Sequence, residues 1–536
     1  MKQSFGAAIT ARALLVLLFI VVFVAAIFIA GASLHDPDTC WLLMLGKRIV
    51  ESGALPSADP YSYTMELFPE KRFILYQWLA EVLFFLSYKA FDLIGLLLLA
   101  AIVLTASFVS IPLAFARKIG MPGSVAVIGT ILTLVTAFFH FLCRPEIFSY
   151  LFLGIYFALT HFFLRKAKDE KVQKIDWKAV TIFGAVMVVW CNLHSAFVLG
   201  LGYLCVFAVV TSVSDFIADK RLNALNQTIL LCFVSAFLAT FVNPYGAGLW
   251  QYLPTLFFTP INKHIVELRP LSGKDFLEWT YYPFFILLIS SVSITARALM
   301  KKIDLTAAYS PRGQVVFAAI AILSWTIAGV CCRRLIPFAA LHMFAEGGYM
   351  LALLRAEKNA NLSFWETVNR KIDSFFEPRG FMWFATIAVF ACVGVYFVTV
   401  RIAAPVLPQS GSAMQAPFEA IKYVAENPPK GRVFNDPQFG DIMIYKMPEP
   451  PKLFIDTRFD MYGKEIVDDY VTMYAAKPGW DELMKRYNIS WVFVRPDAEI
   501  SKRLLAEKAW KVLYQDKASI VMQGPRKVDE KRNSER

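Results

Sequence analysis

The sequence predicts a polytopic α-helical membrane protein of about eleven spans, followed by a small extracytoplasmic α/β domain. Three observations predict it. First, 57% of the 536 residues are hydrophobic and the mean hydropathy is +0.51, whereas soluble domains are about 45–50% apolar. Second, the excess is gathered into long runs rather than spread along the chain. Third, the last quarter of the chain loses those runs and alternates short strand-like and helix-like patterns. The 47 Phe residues suit lipid-facing helices.

The apolar runs are 12–33, 92–116, 123–142, 146–164, 179–193, 196–214, 227–242, 281–300, 314–330, 335–354 and 381–400. The first is too long for a signal h-region and has no small-residue cleavage site after it, so it reads as a retained helix. Basic clusters mark every second loop. Lys2 and Arg12 precede the first run, Arg117-Lys118 follow the second, and RKAKDEKVQK (165–174) follows the fourth. Asp219-Lys220-Arg221, Lys301-Lys302, and a mixed stretch with Arg355, Lys358, Arg370, Lys371 and Arg379 continue the series. The positive-inside rule then places the N-terminus in the cytoplasm, and an odd number of spans places the C-terminal domain outside. This requires YQWLAEVLFFLSYKAF (76–91) to be an interfacial amphipathic helix rather than a span.

Net charge is +12. From Pro405 onward there are 21 Lys+Arg and 19 Asp+Glu, a balance of +2, so the other +10 belongs to the membrane part. Inside-positive loops account for it, and no nucleic-acid motif is present. None of the eight cysteines lies in the C-terminal domain, which therefore has no disulfide, and no metal-type Cys/His spacing occurs.

With topology set this way, the unusual polar motifs all fall at the outer face. HDPDTCW (35–41) and YQWLAE (76–81) lie in the first loop, CRPE (143–146) and NLHS (192–195) in the next two. NPYG (243–246), VELRPL (266–271) and CCRRLIPF (331–338) complete the set. Charges gather at this one face and the inner loops are plain Lys/Arg/Glu mixtures, so the set reads as a site. Taken singly, each motif also reads as a cap or a turn, and NPYG reads better that way. Arg144, Arg269, Arg333 and Arg334 are permanent cations with forked donors that suit phosphate. Asp36 and Asp38, spaced i, i+2 around Pro37, can hold a divalent ion such as Mg or Mn, or supply a general base. No cofactor is required by the sequence. His35, Asn192 and His194 can hydrogen-bond sugar hydroxyls. Trp41 and Trp78 offer flat faces to a sugar ring or prenyl chain, or serve as belt residues. Gln77, Glu81, Glu146, Asn243 and Tyr245 join the candidate substrate-binding residues through their motifs.

These motifs together resemble the GT-C superfamily of polyprenyl-phosphate-sugar-dependent glycosyltransferases, which includes protein O-mannosyltransferases and the aminoarabinose transferases that modify lipid A. The resemblance covers about residues 1–400. It rests on HDPD opening a long outer loop, on WLAEVLFFLSYK (78–89) before the second span, and on the N-in topology. It looks most like a bacterial set with an acidic opening before Trp, a loop here written PSADPYSYT (56–64), an RPE-like turn, an N-L-H element and an NPYG turn. The resemblance implies that Asp36 or Asp38 activates the acceptor hydroxyl or coordinates metal, and that an outer-loop Arg binds the lipid phosphate. Cys40 departs from the aromatic of many relatives. The W-W-D motif of oligosaccharyltransferases is absent, and PGWDEL (478–483) is a partial echo deep in the soluble domain, which weighs against asparagine-linked transfer.

Residues 401–411 read as a linker, 412–523 as the α/β domain and 524–536 as a disordered tail. APFEAIKYVAENPP, WDELMKRYNI and SKRLLAEKAW read as helices; GRVFND, KLFIDTR, SWVFVRP and ASIVMQ read as strands. Asp436, Asp441, Asp456, Arg458 and Asp460 fall at strand ends, where ligands bind but where ordinary caps also sit. The reading that results is an inverting glycosyltransferase in the bacterial inner membrane. Its partners are a polyprenyl-phosphate sugar, a glycan, lipid or protein acceptor, and membrane lipid, with no nucleic acid. A ligase or polymerase using a lipid-diphosphate glycan is one alternative. A transporter or envelope-assembly scaffold is the other; a transporter predicts repeats or midspan charges, and the sequence shows neither.

Overall fold

The computed structural model describes residues 2–33, 36–169, 174–258, 265–300, 313–356, 363–375, 416–507 and 509–525. His35, the run 381–400, the linker 401–411 and most of the tail lie outside the described residues. The helices of the first part are α1 (Lys2–Ser33), α2 (Asp38–Ser52), α3 (Tyr63–Glu66), α4 (Trp78–Thr105) and α5 (Ile111–Ile119). They continue as α6 (Gly123–Ala137), α7 (Glu146–Asp169), α8 (Trp177–Leu193), α9 (Phe197–Asp219) and α10 (Ala224–Ala239). Then come α11 (Ala247–Phe258), α12 (Tyr282–Met300), α13 (Gly313–Cys331), α14 (Ile336–Ala356) and α15 (Ser363–Phe375). The C-terminal part runs α16 (Phe418–Glu426), β1 (Arg432–Asn435), α17 (Pro437–Lys446), α18 (Phe459–Tyr474), α19 (Trp480–Arg486), β2 (Ile489–Val494), α20 (Glu499–Ala506), β3 (Lys511–Gln515) and β4 (Ile520–Gln523).

The chain divides into two compact units. One comprises residues 1–33, 87–250 and 263–403; the other comprises 34–86, 251–262 and 404–536.

The first unit is the membrane unit. Seven described helical segments are long and apolar enough to cross a membrane, and three shorter apolar helices accompany them. These ten coincide with ten of the eleven expected runs. Residues 78–91 and the span from 92 share one helix, α4, but its backbone breaks at Phe91 (φ −142°, ψ 22°) and Asp92 (φ 54°, ψ −147°). The separation expected between a short helix and a span is therefore a kink. A π-helical turn at Ala106–Ser110 precedes Pro112. Proline has no N–H to donate to the preceding turn, and the wider turn accommodates that loss.

Helix α14 packs against α6, α12 and α13. Ala339, Ala340 and Ala345 on it are buried and let neighbours approach closely. It also carries His342 and Glu346, both fully buried, while α7 contributes buried His161. The sequence reading, in which charges gather at one face, is corrected here: ionisable side chains also lie inside the bundle. A single His or Glu does not interrupt an apolar run, so the sequence pattern gives no sign of them. Helix α15 occupies a stretch read as a plain basic loop. Its Val368 and Ile372 are buried while Glu366, Arg370 and Lys371 are exposed.

The second unit is the α/β unit. Its sheet has strand order β1-β2-β4-β3, with β1 and β2 parallel and the other pairs antiparallel. Phe434, Val492, Val494, Ile520 and Met522 from the sheet form one core with Tyr462, Ile466 and Val467 of α18. First-loop residues Tyr63 and Met65 belong to the same core. The motif PSADPYSYT is the strap that puts them there. Leu453 N–H donates to Tyr61 O (2.8 Å) and Tyr63 N–H to Leu453 O (3.1 Å). The Tyr63 hydroxyl donates to Val433 O (2.9 Å) and the Thr64 hydroxyl to Phe454 O (2.6 Å).

This pairing corrects one expected strand. KLFIDTR joins no sheet; Leu453 makes an isolated bridge to Ser62. The other three expected strands and three expected helices are present, and β3, α17 and α18 are additional. Helix α17 carried a signal: Asp436 accepts from Gln438 N–H as its N-cap, and Pro437 takes the first turn. Helix α18 is interrupted by Gly463 in a left-handed conformation (φ 69°), which hides its period.

Candidate active site

In the α/β unit, Asp36 and Pro37 lead into α2. Asp36 is buried and its Oδ1 accepts the Asp38 N–H (3.3 Å), so it serves the start of the helix. Asp38 is half-buried. Its Oδ1 accepts the Thr457 hydroxyl (2.6 Å), and Thr457 Oγ1 in turn accepts the Trp41 Nε1–H (3.1 Å). The Thr457 N–H donates to Asp441 Oδ1 (3.2 Å). Thr457 therefore ties together three candidate residues from two distant stretches of sequence.

Next to it, Arg458 is buried. Its Nη2 lies 2.8 Å from Asp59 Oδ1, and its Nε donates to Asp456 Oδ1 (3.0 Å). Trp41, Tyr61 and Phe73 surround the guanidinium at 5.8, 5.7 and 6.0 Å. Burial works against this charge, but Asp456 and Asp59 outweigh it and hold Arg458 protonated. Burial, then the carboxylates of Asp456 and Asp38, push the Asp441 carboxyl well above its usual range. Burial likewise raises the Cys40 thiol, with Asp441 and Asp36 adding to it, and raises Tyr61 to about 12. Asp460 accepts the Tyr252 hydroxyl (2.6 Å). Gln77 and Glu81 are buried and Trp78 opens α4.

Asp436, by contrast, is a cap and an ion pair: Arg495 Nε lies 3.2 Å from its Oδ2, and Tyr474 donates to the same oxygen. PGWDEL is the turn into α19, and Trp480 packs on the core.

In the membrane unit, four motifs converge. Arg334 Nε donates to Glu146 Oε2 (3.1 Å), joining CCRRLIPF to CRPE. Arg144 stands 3.8 Å from Glu267, joining CRPE to VELRPL. His194 is buried, its Nδ1 2.9 Å from Ser149 Oγ on α7. Trp190 donates to the same hydroxyl, and Ala196 N–H approaches His194 Nδ1. Arg333 is held at 2.7 Å by Asp275, which also accepts from the Ser272 N–H and hydroxyl. Burial raises the Asp275 carboxyl, but the two Ser272 bonds and Arg333 outweigh it and hold it below its usual value. Arg269 is exposed, and its carbonyl accepts the Arg333 N–H.

Two candidates sit within local structure instead. Asn192 donates to Val188 O and Val242 O, tying α8 to the end of α10. Asn243 closes the NPYG turn on itself through Thr240 O, Gly246 O and the Tyr245 N–H.

Among the described residues no group of three or more His, Cys, Asp or Glu side chains is arranged to hold a metal ion. Asp36 and Asp38 instead spend oxygens on a helix start and on Thr457.

No protein-family model matches the chain, and no curated protein matches it. Solved structures do. It is similar to the apo oligosaccharyltransferase of Archaeoglobus fulgidus at 10% identity and TM-score 0.54, covering 88% of this chain and 69% of that one. It is similar to AglB of the same organism, solved with an inhibitory peptide and a dolichol-phosphate, at 11% identity and TM-score 0.56, covering 95% and 74%. A match to apo ArnT from Cupriavidus metallidurans has 15% identity and TM-score 0.49, covering 96% and 100%. The chain has the fold of these archaeal oligosaccharyltransferase structures, in keeping with the resemblance read in the sequence.

Proposed function

We propose that the protein is an inverting glycosyltransferase that moves a sugar from a polyprenyl-phosphate donor to an acceptor hydroxyl on a glycan, lipid or protein. The observation that carries this reading is the Thr457–Asp38 hydrogen bond, which orients a half-exposed carboxylate at the start of α2. The GT-C fold supports it, as does the dolichol-phosphate in a protein of similar fold.

Asp38 acts as the base and Asp36 holds the helix start. The acceptor oxygen attacks the anomeric carbon as Asp38 takes its proton. The bond from that carbon to the phosphate oxygen breaks, and the electron pair leaves with the phosphate. Few groups are needed because phosphate is already a good leaving group. Arg144 and Arg269 are assigned to the donor phosphate. Arg144 stands 3.8 Å from Glu267 and Arg269 is exposed, while Arg334 and Arg333 lie 3.1 and 2.7 Å from Glu146 and Asp275. The chain sits in the bacterial inner membrane with its N-terminus in the cytoplasm.

Turnover of lipid extract by purified protein tests the assignment. Asp38→Asn is expected to lower sugar transfer by about 10³-fold, and Asp36→Asn by far less. Wild-type turnover in Asp38→Asn would remove Asp38 as the base.

A further inference from the structure

We infer that the membrane unit binds a phosphoethanolamine-type zwitterion, a phosphate ester carrying a primary ammonium, in a cavity lined by the end of α5, the turn that follows it and α15. The cavity holds about 500 Å³, within the range of small-ligand sites. Arg117, Glu366, Arg370 and Asp373 line it. Two permanent cations and two carboxylates sum to zero. A plain anion would satisfy the guanidiniums and be repelled by the carboxylates. A zwitterion answers both, with its phosphate on the arginines and its ammonium on the acids.

The depth fits a headgroup. One candidate span ends at Ile119 and the next begins at Gly123, and the cavity is lined by the turn that joins them. That is where helices leave the hydrocarbon. Helix α15 buries Val368 and Ile372 and exposes Glu366, Arg370 and Lys371, the pattern of a helix lying in the interface plane. The walls are fixed. Asn369 Oδ1 accepts both the N–H (3.0 Å) and the hydroxyl (2.8 Å) of Ser124, clamping α15 to the start of α6. A Cβ on Gly123 would lie 2.8 Å from Asp373 Oδ1, so a side chain there would push the carboxylate aside. Burial pushes the Asp373 carboxyl up, with Arg117 opposing it, and a ligand ammonium would favour its charged form.

This site does not depend on the transfer reading. Native mass spectrometry of the full chain in detergent tests it, with equal amounts of phosphatidylethanolamine, phosphatidylglycerol and phosphatidylcholine. Phosphatidylethanolamine is expected to bind about tenfold more tightly than either. Phosphatidylcholine keeps the charges, but its quaternary ammonium donates no hydrogen bond. Glu366→Gln with Asp373→Asn should abolish the preference over phosphatidylglycerol, and Arg370→Gln should weaken all three lipids. Soluble O-phosphoethanolamine separates the sources. Displacement of the lipid at equal concentration assigns the ligand to water, and failure to displace assigns it to the bilayer. No phosphatidylethanolamine preference in the wild type, which requires no variant to fold, would overturn the inference. So would an unchanged preference in a folded double variant.

Discussion

At the scale of single residues, Thr457 organises the proposed catalytic carboxylate. Its hydroxyl orients Asp38 and receives Trp41, and its N–H meets Asp441. Thr457→Val should lower turnover about tenfold while leaving donor binding unchanged, and Thr457→Ser should restore it. Equal loss in Val and Ser variants would contradict a positioning role for the hydroxyl. The raised Asp441 carboxyl has a further consequence. Between the unfolded value of about 3.9 and its raised folded value, the native state binds more protons than the unfolded chain. Stability therefore falls as pH rises through that window. Asp441→Asn should flatten the fall, so melting temperatures of variant and wild type at pH 5 and pH 8 provide the check. The arginines divide in the same way. Arg333→Ala should cost about 2 kcal/mol of stability through the uncompensated Asp275 carboxylate, whereas Arg144→Ala should weaken donor binding and leave the melting temperature nearly unchanged. The charged candidates were legible in the sequence because an ion beside a hydrophobic run is conspicuous. Thr457 was not, since one threonine in a strand-like stretch gives no signal until the fold brings Asp38 to it.

At the scale of elements, close approaches decide more than propensities. Helix α2 passes α4 at Gly46, where an added Cβ would lie 2.1 Å from the Glu81 carbonyl oxygen. Gly46→Ala should therefore destabilise by about 2 kcal/mol or more, read as a lower melting temperature of the full chain. The strap PSADPYSYT is held by buried hydrogen bonds. Removing one, in Thr64→Val, strands the Phe454 carbonyl at a cost of about 1–3 kcal/mol. The membrane helices were legible because a span needs a continuous apolar run, which nothing else in a sequence imitates. The α/β elements were legible where hydrophobic period and turn residues agreed, as in β2 and α19. They were lost where a left-handed glycine broke the period in α18, and where KLFIDTR gave its backbone to the first loop instead of the sheet.

At the scale of the whole molecule, composition carried the fold class and the alternation of basic loops carried the expected sidedness. A reporter joined after Arg536 should be active outside the cytoplasm, and activity confined to the cytoplasm would reverse the assignment. What no composition could disclose is that the first loop folds with residues more than 350 positions away, as the Tyr63–Val433 bond shows. Asp38 is proposed to turn over a lipid-phosphate sugar. Native mass spectrometry of wild type and Asp38→Asn, each purified with host lipid, tests it most directly. A co-purifying polyprenyl-monophosphate sugar should accumulate on the variant. A diphosphate glycan on both proteins, or no lipid-linked sugar on either together with full complementation by Asp38→Asn, would contradict it.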